Sequence, residues 1–217
     1  MIRTVLFDLD GTILDTNELI FRSFEHVWQR LGYDVTREQM VPYMGGKLHD
    51  MFRDLTGTDD PGAEDMIRIY REYNLAYHDE LVVEFPHVKE VLGRLSEAGI
   101  RMGVVTTKIR KTTEMGLKLC GLFEYMETLV TLDDVERAKP DPEPVLLALE
   151  RMGANAAETL MVGDSPGDIL SARGAGVASV AVGWTLKSKK ELMRYEPNYW
   201  IDDLRELLPI VGLARDE

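Results

Sequence analysis

Two aspartates spaced two residues apart, Asp8 and Asp10, follow the apolar run Thr4-Val5-Leu6-Phe7 and precede Gly11-Thr12. A strand ending there would present both carboxylates at the edge where open α/β sheets hold their ligands. At that spacing one carboxylate can attack an electrophile, while the other gives a proton to the leaving group and later takes one from water. Paired acids are also common in solvated turns, and only the hydrophobic strand before this pair favours the chemical reading.

Three further groups have the same character. In Val104-Val105-Thr106-Thr107 a hydroxyl ends an apolar run and can donate to a phosphoryl oxygen beside a backbone N–H. In Lys139-Pro140-Asp141-Pro142 two prolines stiffen the approach to a helix and fix where one lysine points, and an inward ammonium neutralises an anion and a carboxylate together. Gly163-Asp164-Ser165-Pro166-Gly167-Asp168 adds two carboxylates about one helical turn apart, an oxygen donor set that suits Mg²⁺. Each has an ordinary alternative: a threonine at a strand end, an exposed loop lysine, an acid capping a helix. Their combination is more specific, because all four groups end separate strands or the loops after them. Four carboxylates at one edge would repel a phosphate, so the set predicts a divalent cation acting with Lys139.

The elements that must carry these residues are short, almost unbroken apolar runs at 4–9, 100–106, 128–131, 159–163 and 179–182, with helical patterns between them. That alternation predicts an α/β chain with a parallel sheet covered by helices. Helices are expected at 88–98, closed by Gly99, and at 141–152, closed by Gly153. Residues 16–83 break the rhythm. They carry helical periodicity at 17–31, a capping-box pattern at Thr36 and Gln39, and another periodic run after Pro61-Gly62, with no strand expected among them. A small helical second domain over 16–83 follows, hinged near Asp15-Thr16 and residues 81–85, with 1–15 and 84–217 forming the core domain.

The 217 residues are 45% hydrophobic, enough for a real core, and carry 25 Lys and Arg against 38 Asp and Glu. The formal charge of −13 disfavours nucleic acid and anionic membranes as partners. One cysteine, Cys120, excludes an internal disulfide and reads as a buried spectator. Without a signal-peptide pattern or an apolar stretch of spanning length, the expectation is a cytoplasmic protein with no membrane and no obligatory protein partner.

On Asp8-Leu9-Asp10-Gly11-Thr12, Thr106, Lys139 and Gly163-Asp164 with Asp168, the chain resembles the haloacid dehalogenase superfamily. The resemblance implies a Rossmann-like core with helices on both faces and an inserted all-helical cap. It also implies an aspartyl-phosphate formed on Asp8, Asp10 as general acid and base, and Mg²⁺ held by the Asp8 carboxylate, the Asp10 backbone carbonyl, Asp164 and Asp168, the last directly or through water. True dehalogenases lack the second aspartate, so Asp10 points to a small phosphate-containing substrate. Thr16-Asn17-Glu18-Leu19-Ile20, Thr131-Leu132-Asp133-Asp134-Val135 and Ala138-Lys139-Pro140-Asp141-Pro142 resemble a bacterial pyrophosphatase branch, with phosphoglycolate phosphatases as near relatives. Phosphomutases and catalytically silent regulators are the remaining alternatives.

In the cap, Gly45-Gly46-Lys47-Leu48-His49 is expected to face the site, with Lys47 reaching a distal phosphate. Thr107, Lys108 and Arg110 are further candidate phosphate contacts. Phe24, Trp28, Met40 and Met51 read as helix-to-helix packing, and His26, His49, His78 and His87 as surface or packing residues.

Overall fold

Every position of the first strand, β1 (Thr4–Phe7), is buried in the computed structural model, which describes residues 1–214. Residues 215–217 of the expected core segment lie outside the described residues. After β1 come β2 (Leu14–Asp15), α1 (Asn17–Leu31), α2 (Arg37–Met40), α3 (Leu48–Thr56), α4 (Asp60–Leu81), β3 (Val83–Glu84), α5 (Val88–Glu97), β4 (Arg101–Val105) and α6 (Arg110–Leu119). The chain continues through β5 (Thr128–Val130), α7 (Glu143–Met152), β6 (Thr159–Gly163), α8 (Pro166–Gly174), β7 (Ala178–Val182), α9 (Lys189–Leu192), β8 (Tyr199–Ile201) and α10 (Leu207–Ile210).

Six strands form one parallel sheet in the order β5-β4-β1-β6-β7-β8. Side chains alternate across a strand, so Val5 and Phe7 enter one hydrophobic cluster with α5, while Leu6 enters another with Val145, Ala148 and Leu149 of α7. Helices covering both faces explain why these strands are apolar without alternation. The chain runs outward from β1 to β4 and β5, then returns to β6 on the other side of β1. The order reverses at β1, the point where such sheets open a ligand crevice.

The inserted helices have their own core. Phe24, Phe52 and Tyr70 meet with ring centroids 5.0 Å apart for both Phe24–Phe52 and Phe24–Tyr70, and Trp28 and Met40 complete the cluster. The start of α1 at Asn17 and the Thr36–Gln39 capping box match expectation. Pro61 differs, because it sits in the first turn of α4 instead of before the helix: Asp59 caps that end by accepting from the Gly62 N–H at 2.9 Å. Another difference is at the hinge, where β2 and β3 pair antiparallel through Leu14↔Glu84 and Asp15↔Val83. Val83 therefore belongs to a strand that was not expected. Two-residue pairings leave no periodicity to read, and β8 was missed for a similar reason: it is three residues long, with Tyr199 exposed. Cys120 is half-buried, not buried: it caps the C-terminus of α6 and packs against the main core from its margin. Among the described residues no helix is long and apolar enough to cross a membrane.

Asp134 ties three elements together beyond β5. It accepts from the Thr131 N–H at 2.8 Å and hydroxyl at 2.6 Å, and from Arg110 and Arg151, each at 2.8 Å at its closest. Burial pushes its carboxyl up, but the Thr131 and Arg151 hydrogen bonds outweigh burial and hold it well below the usual carboxylate range. Asp134→Ala is expected to lower unfolding free energy by about 1–3 kcal/mol in urea titrations near pH 7. A depressed folded-state pKa stabilises above the unfolded value and loses that contribution as pH falls, so the gap between wild type and variant should close below about pH 4.

Candidate active site

The register sets the site. Phe7 is level with Val104 on one side and Val162 on the other, so Asp8, Thr106 and Asp164 emerge within one residue of each other on three adjacent strands. Lys139 arrives from the loop beyond β5, its side chain only 3% exposed. It donates to Asp8 Oδ1 at 2.7 Å, Asp168 Oδ1 at 2.6 Å and the Val105 carbonyl at 2.9 Å, one acceptor for each of its three protons.

Asp168 is fixed from its other side. Ser165 caps α8, and both its N–H at 3.0 Å and its hydroxyl at 2.7 Å donate to Asp168 Oδ2. The carboxyl reaches this position only because Gly163 has no side chain: a Cβ there would lie 2.3 Å from Asp168 Cγ. Asp164 sits similarly against Gly11, whose φ of +81° suits glycine and whose added Cβ would lie 2.7 Å from Asp164 Oδ2.

Oxygens of Asp8, Asp164 and Asp168 lie within 4.8 Å of one another. Burial drives the Asp8 carboxyl well above its usual range; Lys139 pulls it back, while Asp168 and Asp164 push it further up. Burial and Asp168 likewise raise Asp164 to about 6, against the pull of Lys187 and Lys139. Lys139 itself is held above the ordinary lysine range, Asp168 and Asp8 overcoming the cost of its burial. Three buried carboxylates against one bridging ammonium leave an excess of negative charge. An all-oxygen donor set with that excess fits a hard divalent cation.

Asp10 turns out of this cluster and receives the Lys108 ammonium at 3.0 and 3.2 Å. Thr106 is buried, its hydroxyl accepting from the Lys108 N–H at 3.1 Å. Thr107 and Lys47 line the cavity between sheet edge and cap, and the Thr107 hydroxyl donates to the Gly45 carbonyl at 3.1 Å. Arg110 instead points to Asp134 and the Leu129 carbonyl. His78 is buried against α6, while Phe24 and Met51 both pack in the cap core and border the cavity.

Two contributors were not expected. Ser165 orients Asp168, and its place before Pro166 with an acid three residues on is a legible capping-box signature. Lys187, buried beyond β7, donates to the Met44 carbonyl of the cap loop at 2.8 Å. No local pattern marks that lysine among its neighbours Lys189 and Lys190.

Without metal, Asp164 should make stability depend on pH. Its folded pKa is raised above the unfolded value, so the folded state binds the extra proton and loses stability as pH rises from about 4 through about 6. Thermal unfolding in EDTA should show the melting temperature of wild type falling relative to Asp164→Asn between pH 5 and pH 7.5. Added Mg²⁺ should reverse that fall in wild type alone.

Residues 5–182 match the haloacid dehalogenase-like hydrolase family model. Pyrophosphatase PpaX of Bacillus mycoides is 47% identical across 97% of both chains, and that of Oceanobacillus iheyensis 43% across 97% of both. A solved haloacid dehalogenase-like hydrolase from Bacteroides fragilis superposes with a TM-score of 0.90 at 31% identity, over 95% of this chain and 100% of that one. With the buried Lys139 bridge, the paired aspartates and these likenesses together, the chain is a phosphohydrolase and belongs to the haloacid dehalogenase-like hydrolase family.

Proposed function

We propose that this chain hydrolyses inorganic pyrophosphate with Mg²⁺ through a phosphorylated Asp8. The observation that carries the reading is the Lys139 bridge between Asp8 and Asp168 with Asp164 alongside, at the C-terminal edge of the central strands. Relatives named pyrophosphatase at 43–47% identity support the choice of substrate.

Asp8 attacks phosphorus, and the leaving phosphate takes a proton from Asp10. Water then attacks the phosphorus, giving its proton to Asp10 as the Asp8 O–P bond breaks, and the second phosphate leaves. Lys139 holds the Asp8 carboxylate in place and offsets charge as phosphoryl oxygens approach. Thr106 and the backbone N–H groups beside it hold those oxygens, and Lys108 keeps Asp10 oriented toward the leaving group. Asp8, Asp164, Asp168 and the Asp10 carbonyl would hold Mg²⁺, which when bound neutralises and polarises the phosphoryl group.

Residues 16–83 act as a cap on the core formed by 1–15 and the chain from 84 onward. Closure of the cap excludes water from the site, and the Thr107–Gly45 and Lys187–Met44 bonds hold the closed form. Lys47, at the start of α3, reaches the distal phosphate. Phosphoglycolate or another small monoester is the second reading, favoured by a cavity that extends beyond Asp10 under the cap.

Phosphate release from pyrophosphate, phosphoglycolate and sugar phosphates, each with and without Mg²⁺, decides between them. The expected outcome is at least a tenfold preference for pyrophosphate in kcat/KM, about 1.4 kcal/mol of transition-state stabilisation, with loss of turnover in EDTA and in Asp8→Asn. Lys47→Ala should raise KM for pyrophosphate several-fold; an unchanged KM removes Lys47 from the site.

A further inference from the structure

Ion pairing in the inserted helices leaves two cations over. Arg22, Arg30, Arg37, Arg53 and Arg68 each face a carboxylate at 2.6–3.7 Å. Lys47 and Arg71 have no such partner among the described residues, and both line the cavity between the sheet edge and the cap. The sequence explains why Arg71 stays free. Partners on a helix stand three and four residues away, and at those places α4 carries Ile67, Arg68, Asn74 and Leu75, none of them an acid. Arg68, by contrast, has Asp65 and Glu72 at those spacings and uses both. Glu64, an acid of α4 on the same wall, lies two turns before Arg71 and makes no ion pair with it. Nearer the sheet edge, Lys139 is held by Asp8 and Asp168, and Lys108 by Asp10. His49 faces Asp50 and Asp60. Arg71 and Lys47 therefore remain for an anion beyond the reacting phosphoryl group. One turn on from Arg71, the buried Asn74 lines the same cavity. One of its two amide protons goes to Ser23 Oγ at 3.3 Å, and the other is unused among the described residues.

We propose that Arg71 is a specificity-determining residue, its guanidinium binding the phosphate of pyrophosphate that does not react at Asp8, with the Asn74 amide donating beside it. The proposal rests on the pyrophosphate reading and deepens it. Lys47 offers that phosphate a point charge, whereas a guanidinium presents a planar fork that matches two oxygens of one phosphate. The bound phosphate is also the leaving group, and it gains charge as its bond to the reacting phosphorus breaks. A cation held against it therefore acts on turnover as well as on binding. A monoester with an uncharged leaving group gives the guanidinium nothing to hold, so the preference for a second anionic group originates at this residue.

The test compares, on the full chain with Mg²⁺, pyrophosphate with phenyl phosphate, whose leaving group carries no second phosphate. Arg71→Ala is expected to lower kcat/KM for pyrophosphate about ten- to hundredfold, as loss of charge-assisted hydrogen bonds predicts, and that for phenyl phosphate less than about twofold. Arg71→Lys keeps the charge without the fork and should restore only part of the loss. Calorimetry with imidodiphosphate, a pyrophosphate analogue with a P–N–P bridge, and with inorganic phosphate reads the same contact without turnover. The ratio of those two affinities should fall in Arg71→Ala by a factor similar to the loss in kcat/KM. Arg71 is exposed and makes no hydrogen bond or ion pair among the described residues, so the variant should melt as wild type does. The ratio within each protein is the readout, and a general loss of fold or of metal does not imitate its change. Equal loss for both substrates, or loss for neither, overturns the role of Arg71. Failure of wild type to prefer pyrophosphate overturns the substrate reading instead, and the imidodiphosphate-to-phosphate ratio still decides whether Arg71 holds a second phosphate.

Discussion

A single buried ammonium holds the centre of this molecule together. Lys139 meets Asp8, Asp168 and a backbone carbonyl at once, and removing a buried cation from between two carboxylates would leave both uncompensated where water cannot reach them. Much of the neighbouring structure answers that demand. β1 and β6 must be adjacent for Asp8 and Asp164 to converge, α8 must begin at Ser165 for Asp168 to turn inward, and Gly163 and Gly11 must lack side chains for the carboxyls to approach. Burial first, and the neighbouring carboxylates after it, raise the pKa values of Asp8 and Asp164, so this oxygen-rich cluster fits a cation that would offset its charge.

The cap is joined to this centre mainly through backbone acceptors. Thr107 and Lys187, from opposite sides of the sheet order, each donate to a carbonyl of the Met44–Gly45 turn, and Gly45 passes close enough to Ser165 that a side chain there would touch it at 3.4 Å. Bonds to main-chain carbonyls constrain where the loop sits without prescribing which side chains it carries. Both chain crossings between the sheet and the inserted helices pass through the short β2–β3 ribbon.

The parts of the site that were legible are those where local chemistry and local structure coincide. Asp8 and Asp10 at the end of an unbroken apolar strand, Thr106 at the end of another, Lys139 before two prolines and Asp164 after Val162-Gly163 are each marked by their immediate neighbours, and alternation with helices marks the sheet as parallel. The capping box of Ser165 with Asp168 was not singled out although its spacing marks it, and the orientation of Asp168 depends equally on Lys139 arriving from 29 residues upstream. Arg110 was read as a phosphate contact because it lies near Thr106, but Asp134 and a strand carbonyl claim its guanidinium.

By itself, then, the sequence marked five of the six strands of the sheet and the acids and lysine near their ends, because those depend on apolar runs, turn residues and acids at strand ends that act over a few positions. The tertiary structure alone decided which carboxylate oxygen faces Lys139, that Lys187 clasps the cap, and that Arg71 joins Lys47 on the wall of one cavity. These are contacts between residues far apart in the chain. Their free energy depends on burial and distance, which no local pattern of residue types encodes.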